Sequence, residues 1–79
     1  MDEVKDKIRR FIGDEVLFGE GQVGDDQELL GGVLDSLALL QLVEFIESEF
    51  GFDVNDAEMV PANFQSLNAV DAYIQSRMA

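Results

Sequence analysis

Neither cysteine nor histidine occurs in this chain. Without a thiol there is no disulfide framework, no zinc–thiolate site and no cysteine nucleophile. Without an imidazole, Ser–His and Cys–His catalysis are excluded, as is histidine ligation of a metal. Basic residues are scarce: five Lys and Arg stand against seventeen Asp and Glu, a formal net charge of −12. That balance speaks against nucleic acid, which needs a positive footprint facing phosphates, and against an anionic membrane surface. One proline and seven glycines are too few for a low-complexity linker. No apolar run approaches the length of a membrane span. The opening residues Met1-Asp2-Glu3-Val4-Lys5 lack the apolar stretch of a signal peptide, so the expectation is a cytoplasmic protein.

What is present is ordinary for a folded domain. The chain has 79 residues and is 47% hydrophobic, and residues 1–79 read as a single domain. A domain of this size removes roughly 60% of its unfolded-chain surface from water. The charge is unevenly placed. Lys5, Lys7, Arg9 and Arg10 fall in the first ten residues and Arg77 near the end, while fourteen acids and no base lie between Phe11 and Ser76. Internal ion pairs cannot neutralise most of that surface, and partners steered by charge should carry basic patches.

Val4, Ile8, Phe11 and Ile12 recur at helical spacing and predict a first helix over about 3–14, with Gly13 close to its end. Residues 15–35 have no sustained period and read as a long loop pinned by Val16, Leu17, Phe18, Val23, Leu29 and Leu30. From Ser36 to Phe50 there is no Gly or Pro, and Gly51 follows as a stop, which predicts the longest helix. Its apolar side is Leu39, Leu42, Val43, Ile46 and Phe50. Leu37 and Leu40 fall on the opposite, polar side near the N-terminal end, where a core stripe does not account for them. Asn55 or Asp56 caps a short helical turn to about Val60, ended by Pro61. Ser66 caps a last helix to about Arg77 with the stripe Leu67, Val70, Tyr73 and Ile74. The expected fold class is all-α: a small bundle of three main helices plus one short helix, with a long loop between the first two.

Carboxylates are the only abundant ionisable groups. Asp53-Val54-Asn55-Asp56-Ala57-Glu58 begins like a calcium loop but fails, because Ala57 replaces the fifth-position ligand and Glu58 stands where glycine makes the sharp turn. Asp25-Asp26-Gln27-Glu28 has no ligand periodicity. Paired-carboxylate hydrolysis needs a substrate cleft for which 79 residues leave little room. No metal site and no catalytic residue is therefore expected. The informative stretch is Leu29 to Leu37, a Gly-rich turn leading into the first residue of the longest helix. Ser36 there reads either as an N-cap or as a presented hydroxyl.

Asp35-Ser36-Leu37, preceded by glycines and followed by Ala38-Leu39-Leu40-Gln41-Leu42-Val43-Glu44, resembles the attachment motif of acyl and peptidyl carrier proteins. Glu49-Phe50-Gly51-Phe52-Asp53-Val54 is similar to the end of the same helix in that family. Asn63-Phe64-Gln65-Ser66-Leu67 with Val70, Tyr73 and Ile74 is similar to their final helix, so the resemblance spans essentially the whole chain. It implies a non-catalytic, stand-alone carrier. Ser36 would be esterified by 4′-phosphopantetheine, donated from coenzyme A by a phosphopantetheinyl transferase, with Asp35 and Leu37 flanking it. The arm's thiol would hold acyl groups as thioesters. Implied partners are that transferase, a loading ligase or transferase, and downstream biosynthetic enzymes with basic patches; the carrier itself is expected to be a monomer. Leu37 and Leu40 would centre a docking patch, with Gln41 and Glu44 beside them and Glu47, Asp56 and Glu58 as its charged rim. Leu39, Leu42, Ile46 and Phe64 are the residues to line a space for a buried acyl chain.

Two other functions compete. Ala38 and Gln41 stand where fatty-acid carriers show acids, and Leu34-Asp35-Ser36 is similar to stand-alone carriers of amino acids or specialised acyl groups. The alternatives are thus an aminoacyl or peptidyl carrier of a specialised pathway and, from another class, an unmodified acidic protein-interaction module.

Overall fold

The apolar stripe that begins at Val4 organises helix α1, Asp2–Phe11, in a computed structural model that describes residues 2–79. Ile8 and Ile12 on that stripe are fully buried. The helix does not stop near Gly13. A π-helical turn, Ile12–Val16, continues it, and the Leu17 N–H donates to the Ile12 carbonyl five residues back at 2.9 Å. Gly13 sits inside the helix because the Gly21 carbonyl oxygen of the following loop lies 3.3 Å from where a Cβ would stand. The helix ends at two left-handed residues, Phe18 (φ +54) and Gly19 (φ +77), with the Gly19 N–H closing on the Gly13 carbonyl at 2.7 Å. Glycine adopts this conformation without strain. A phenylalanine there costs roughly 1–2 kcal/mol.

The loop that follows is pinned by the expected apolar residues except Phe18, with Val33 and Leu34 added. Val23, Leu29 and Leu34 are buried, while Val16, Leu17 and Leu30 are half-buried. Phe18 is not an anchor. The left-handed turn throws its ring outward and leaves it 82% exposed. Polar bonds do the remaining work. The Leu29 N–H donates to the Gln65 carbonyl at 2.8 Å and the Asn68 N–H to the Asp25 carbonyl at 3.1 Å. The Asp25 carboxylate, in turn, pairs with Lys5 (3.5 Å) and Arg9 of α1.

Helix α2, Ser36–Phe50, has the expected bounds and ends at Gly51 in the left-handed region (φ +76). Ala38, Leu42, Val43 and Ile46 are its buried residues, and Leu39 and Phe50 pack half-buried beside them. After Phe52-Asp53-Val54 comes a 3₁₀ turn, Asp56–Glu58, with Asn55 at its cap position. Pro61 does not merely end this turn. It opens a further helix, α3, Pro61–Phe64, occupying a first-turn position where its missing N–H costs nothing. Helix α4, Leu67–Met78, starts where Ser66 accepts a hydrogen bond from the Ala69 N–H at 3.1 Å, and it buries the expected Leu67, Val70, Tyr73 and Ile74. Helix α4 packs against both α1 and α3. One core cluster joins Ile8 of α1, Ile12 of the π-helical turn, Leu42 and Ile46 of α2, Phe64 of α3, and Leu67, Val70 and Ile74 of α4.

A polar cluster ties the 3₁₀ turn to α4. Glu58 Oε1 accepts from the Asn55 N–H at 3.1 Å and from the Tyr73 hydroxyl at 3.0 Å, and pairs with Arg77. The Arg77 guanidinium also lies 4.7 Å from the centre of the Phe52 ring. The Asn55 N–H is the main influence holding the Glu58 carboxyl below its ordinary range; Tyr73 and Arg77 add to it against the cost of desolvation. Burial, reinforced by the Glu58 acceptor, pushes the Tyr73 phenol up from 10 to about 12.

Two measurements check this packing. Ile46→Ala removes a fully buried side chain and should cost about 2–5 kcal/mol in a denaturant titration; a cost near zero would remove Ile46 from the core. Tyr73 is the single tyrosine, so phenolate absorbance reports it alone. The fold favours its neutral form, so that contribution is complete below pH 10 and is lost as pH rises through about 12. Phenolate should therefore appear toward pH 12 together with loss of helical signal, and a midpoint at 10 in the folded protein would contradict the burial.

Candidate functional site

Asp35, not Ser36, caps α2. Its backbone is extended (φ −86, ψ −175) and its Oδ1 accepts from the Ala38 N–H at 2.8 Å, while the Leu39 N–H bonds the Asp35 carbonyl at 2.9 Å. The N-cap reading of Ser36 is thereby corrected, and its hydroxyl is released from capping. Ser36 is the first helical residue and is exposed. Of the backbone donors that a helix leaves unsatisfied in its first turn, those of Ser36 and Leu37 have no helical carbonyl to reach. No acid occupies the first turn of α2 itself, and the Asp35 carboxylate at its cap takes the Ala38 N–H, so the Ser36 and Leu37 donors at the positive end of the helix dipole are left for an oxygen on Ser36. A phosphodiester on that oxygen fits these surroundings.

The exposed leucines are where the sequence places them. Leu37 is 64% and Leu40 53% exposed, with Gln41 and Glu44 exposed on the same side of α2. The rim differs from expectation. Asp56 is exposed, but Glu47 is half-buried, its Oε2 accepting from the Val54 N–H at 2.9 Å and tying the 52–54 segment to α2. Glu58 is turned inward to Asn55, Tyr73 and Arg77. Glu44 and Asp56 are thus exposed, while Glu47 and Glu58 are half-buried and bonded within the fold. Among the described residues no cluster of acids is arranged to hold a metal ion, and no helix is long and apolar enough to cross a membrane.

Two further features lie near this helix tip, one expected with partly different walls and one that sequence reasoning missed. An apolar cleft of about 140 Å³ is lined by Leu30, Leu39, Met59, Val60, Pro61 and Phe64. Leu39 and Phe64 were expected around such a space; Leu42 and Ile46 are instead fully buried in the core. Leu39, one turn along α2 from Ser36, gives the cleft a wall on the same helix. Val60, 40% exposed, completes its outer wall. The second feature is Phe18, which carries no periodic signal because it stands in a turn.

Comparison with known proteins bears on this arrangement. No family model matches the chain. A solution structure of a holo acyl carrier protein from Nitrosomonas europaea superposes with a TM-score of 0.82 at 25% identity, covering 96% of each chain. The acyl carrier protein of Thermotoga maritima is 30% identical over 78 residues, which span 98% of this chain and 94% of that protein. With sequence and helical arrangement shared over nearly their whole length, this chain belongs to the acyl carrier protein family.

Proposed function

We propose that the chain, acting as one domain, carries acyl groups as thioesters on a 4′-phosphopantetheine arm esterified to Ser36, and that it performs no catalysis itself. One observation carries this reading: Asp35 takes the capping bond and leaves an exposed hydroxyl on the first residue of α2. In the loading reaction the Ser36 oxygen attacks the phosphorus of coenzyme A that bears pantetheine. A phosphodiester forms, the pyrophosphate linkage breaks, adenosine bisphosphate leaves, and the hydroxyl proton passes to a base on the transferase. The chain has no cysteine, so the thiol for thioester chemistry comes with the arm. Reliance on coenzyme A, an intracellular cofactor, supports a cytoplasmic location.

The chain's own residues position and recognise. The N–H groups of Ser36 and Leu37 would hold the phosphodiester oxygens, and the Asp35 bond to Ala38 fixes the helix tip. Leu37 and Leu40 supply the apolar centre that partner enzymes cover, and Glu44 and Asp56 supply charge at its edge. The centre governs residence and the rim governs encounter. An acyl cargo, as in the named relatives, has the cleft walled by Leu39, Met59 and Phe64 within reach, which favours it over an aminoacyl cargo. Those relatives are acyl carriers.

Incubation with coenzyme A and a broad-specificity phosphopantetheinyl transferase should add the mass of one arm, and Ser36→Ala should abolish the gain. A folded wild-type protein that gains no mass would instead be an unmodified acidic interaction module. Leu40→Glu should leave the circular dichroism of the helices unchanged and slow loading by about fivefold or more. Melting of the helices would show that Leu40 belongs to the core.

A further inference from the structure

Phe18 has no stabilising part in the free chain. Its backbone is left-handed, where glycine would be unstrained, and its ring is 82% exposed. The ring is not isolated, however. It lines a cleft of about 420 Å³ between the end of the π-helical turn and the tip of α2, together with Glu15, Val33, Asp35 and Leu37. Phe18 and Leu37, the two most exposed large apolar side chains among the described residues, therefore share one concavity immediately beside Ser36. No Lys or Arg lines it, and none occurs in the sequence between Phe11 and Ser76. Glu15 and Asp35 give the concavity its charge, and both are exposed.

We propose that Phe18 and Leu37 are the two jaws of a docking notch that receives an apolar side chain of the phosphopantetheinyl transferase, flanked on that enzyme by a lysine or arginine facing Glu15 and Asp35. This deepens the carrier reading and rests on it. Charge complementarity selects a cationic partner, because an acidic one would meet uncompensated carboxylates from both walls. The apolar jaws select an inserted side chain, because two large exposed apolar surfaces facing one space bury most area when that space is filled. The left-handed turn has a purpose on this account: a right-handed residue at position 18 would continue the helix and carry the ring away from the α2 tip.

Steady-state loading with coenzyme A and a broad-specificity transferase tests the notch in wild type, Phe18→Gly, Phe18→Leu and Glu15→Gln. Phe18→Gly should raise KM for the carrier by roughly three- to tenfold with kcat little changed, while its thermal midpoint stays level or rises as the backbone relaxes. Phe18→Leu should recover most of the loss, and Glu15→Gln should flatten the salt dependence of kcat/KM. A Phe18→Gly KM within twofold of wild type overturns the notch, as does a fall in thermal midpoint that accounts for the loss. Wild-type protein that is never loaded overturns the carrier reading itself, so the two failures are distinguishable.

Discussion

Burial of one side of α2 in the core cluster it shares with the other helices is the constraint from which the rest of the molecule follows. Leu42 and Ile46 are fully enclosed in the cluster with Ile8, Ile12, Leu67, Val70 and Ile74. A helix is a rigid cylinder with 3.6 residues per turn, so enclosing those side chains fixes its rotation. Leu37, Leu40, Gln41 and Glu44 are then directed to solvent by the same geometry that hides their neighbours. The exposed leucines are therefore a consequence of where α2 must sit and not a defect of packing. The core holds the presented surface in place and, through the Asp35 bond to Ala38, fixes the orientation of the tip that carries Ser36.

The few cations organise the fold internally. Lys5 and Arg9 converge on Asp25, Lys7 on Glu49, and Arg77 on Glu58. Exposed pairs of this kind contribute about 0–1 kcal/mol each, so their effect lies in where they hold the chain. Asp25 is the point at which the long loop is drawn onto α1, and Glu58 is the point at which the 3₁₀ turn is drawn onto α4. Among the described residues the acids in ion pairs are Asp6, Asp25, Glu49 and Glu58, and most others have no such partner, which leaves a negative surface around an apolar patch. Such a surface steers cationic partners toward it.

Rigidity and softness are separated in space. The helix tip is held by a cap and by a packed helix behind it. The cleft beside it has its outer wall in the irregular stretch around Met59, Val60 and Pro61, where no long helix supports the backbone. Functional sites commonly combine a rigid frame with a less constrained neighbouring segment. Here the hydroxyl sits on the frame and the apolar space lies against the segment.

The helices were legible in the sequence because burial on a helix repeats every 3.6 residues. That period marked Ser36–Phe50 with Gly51 as its stop, the stripe of α4 with Ser66 as its cap, and the outward face of Leu37 and Leu40. Charge counts marked the acidic surface, and the residues around Asp35-Ser36-Leu37 marked the candidate site. Contacts that join distant residues without a period were not legible. Glu58 looked like a surface acid until folding brought Tyr73 and Arg77, 15 and 19 residues away, against it. Glu47 likewise turned inward to the Val54 N–H, Pro61 opened a helix where a stop was expected, and Asp35 took the cap that Ser36 was equally suited to fill. The exposed ring of Phe18 was decided last and least locally, by a left-handed backbone imposed where α1 unwinds into a loop tethered at its other end to α4. Periodic burial is a property of a segment and can be read along the chain. Which polar group meets which depends on closing loops through space, and only the folded structure determines that.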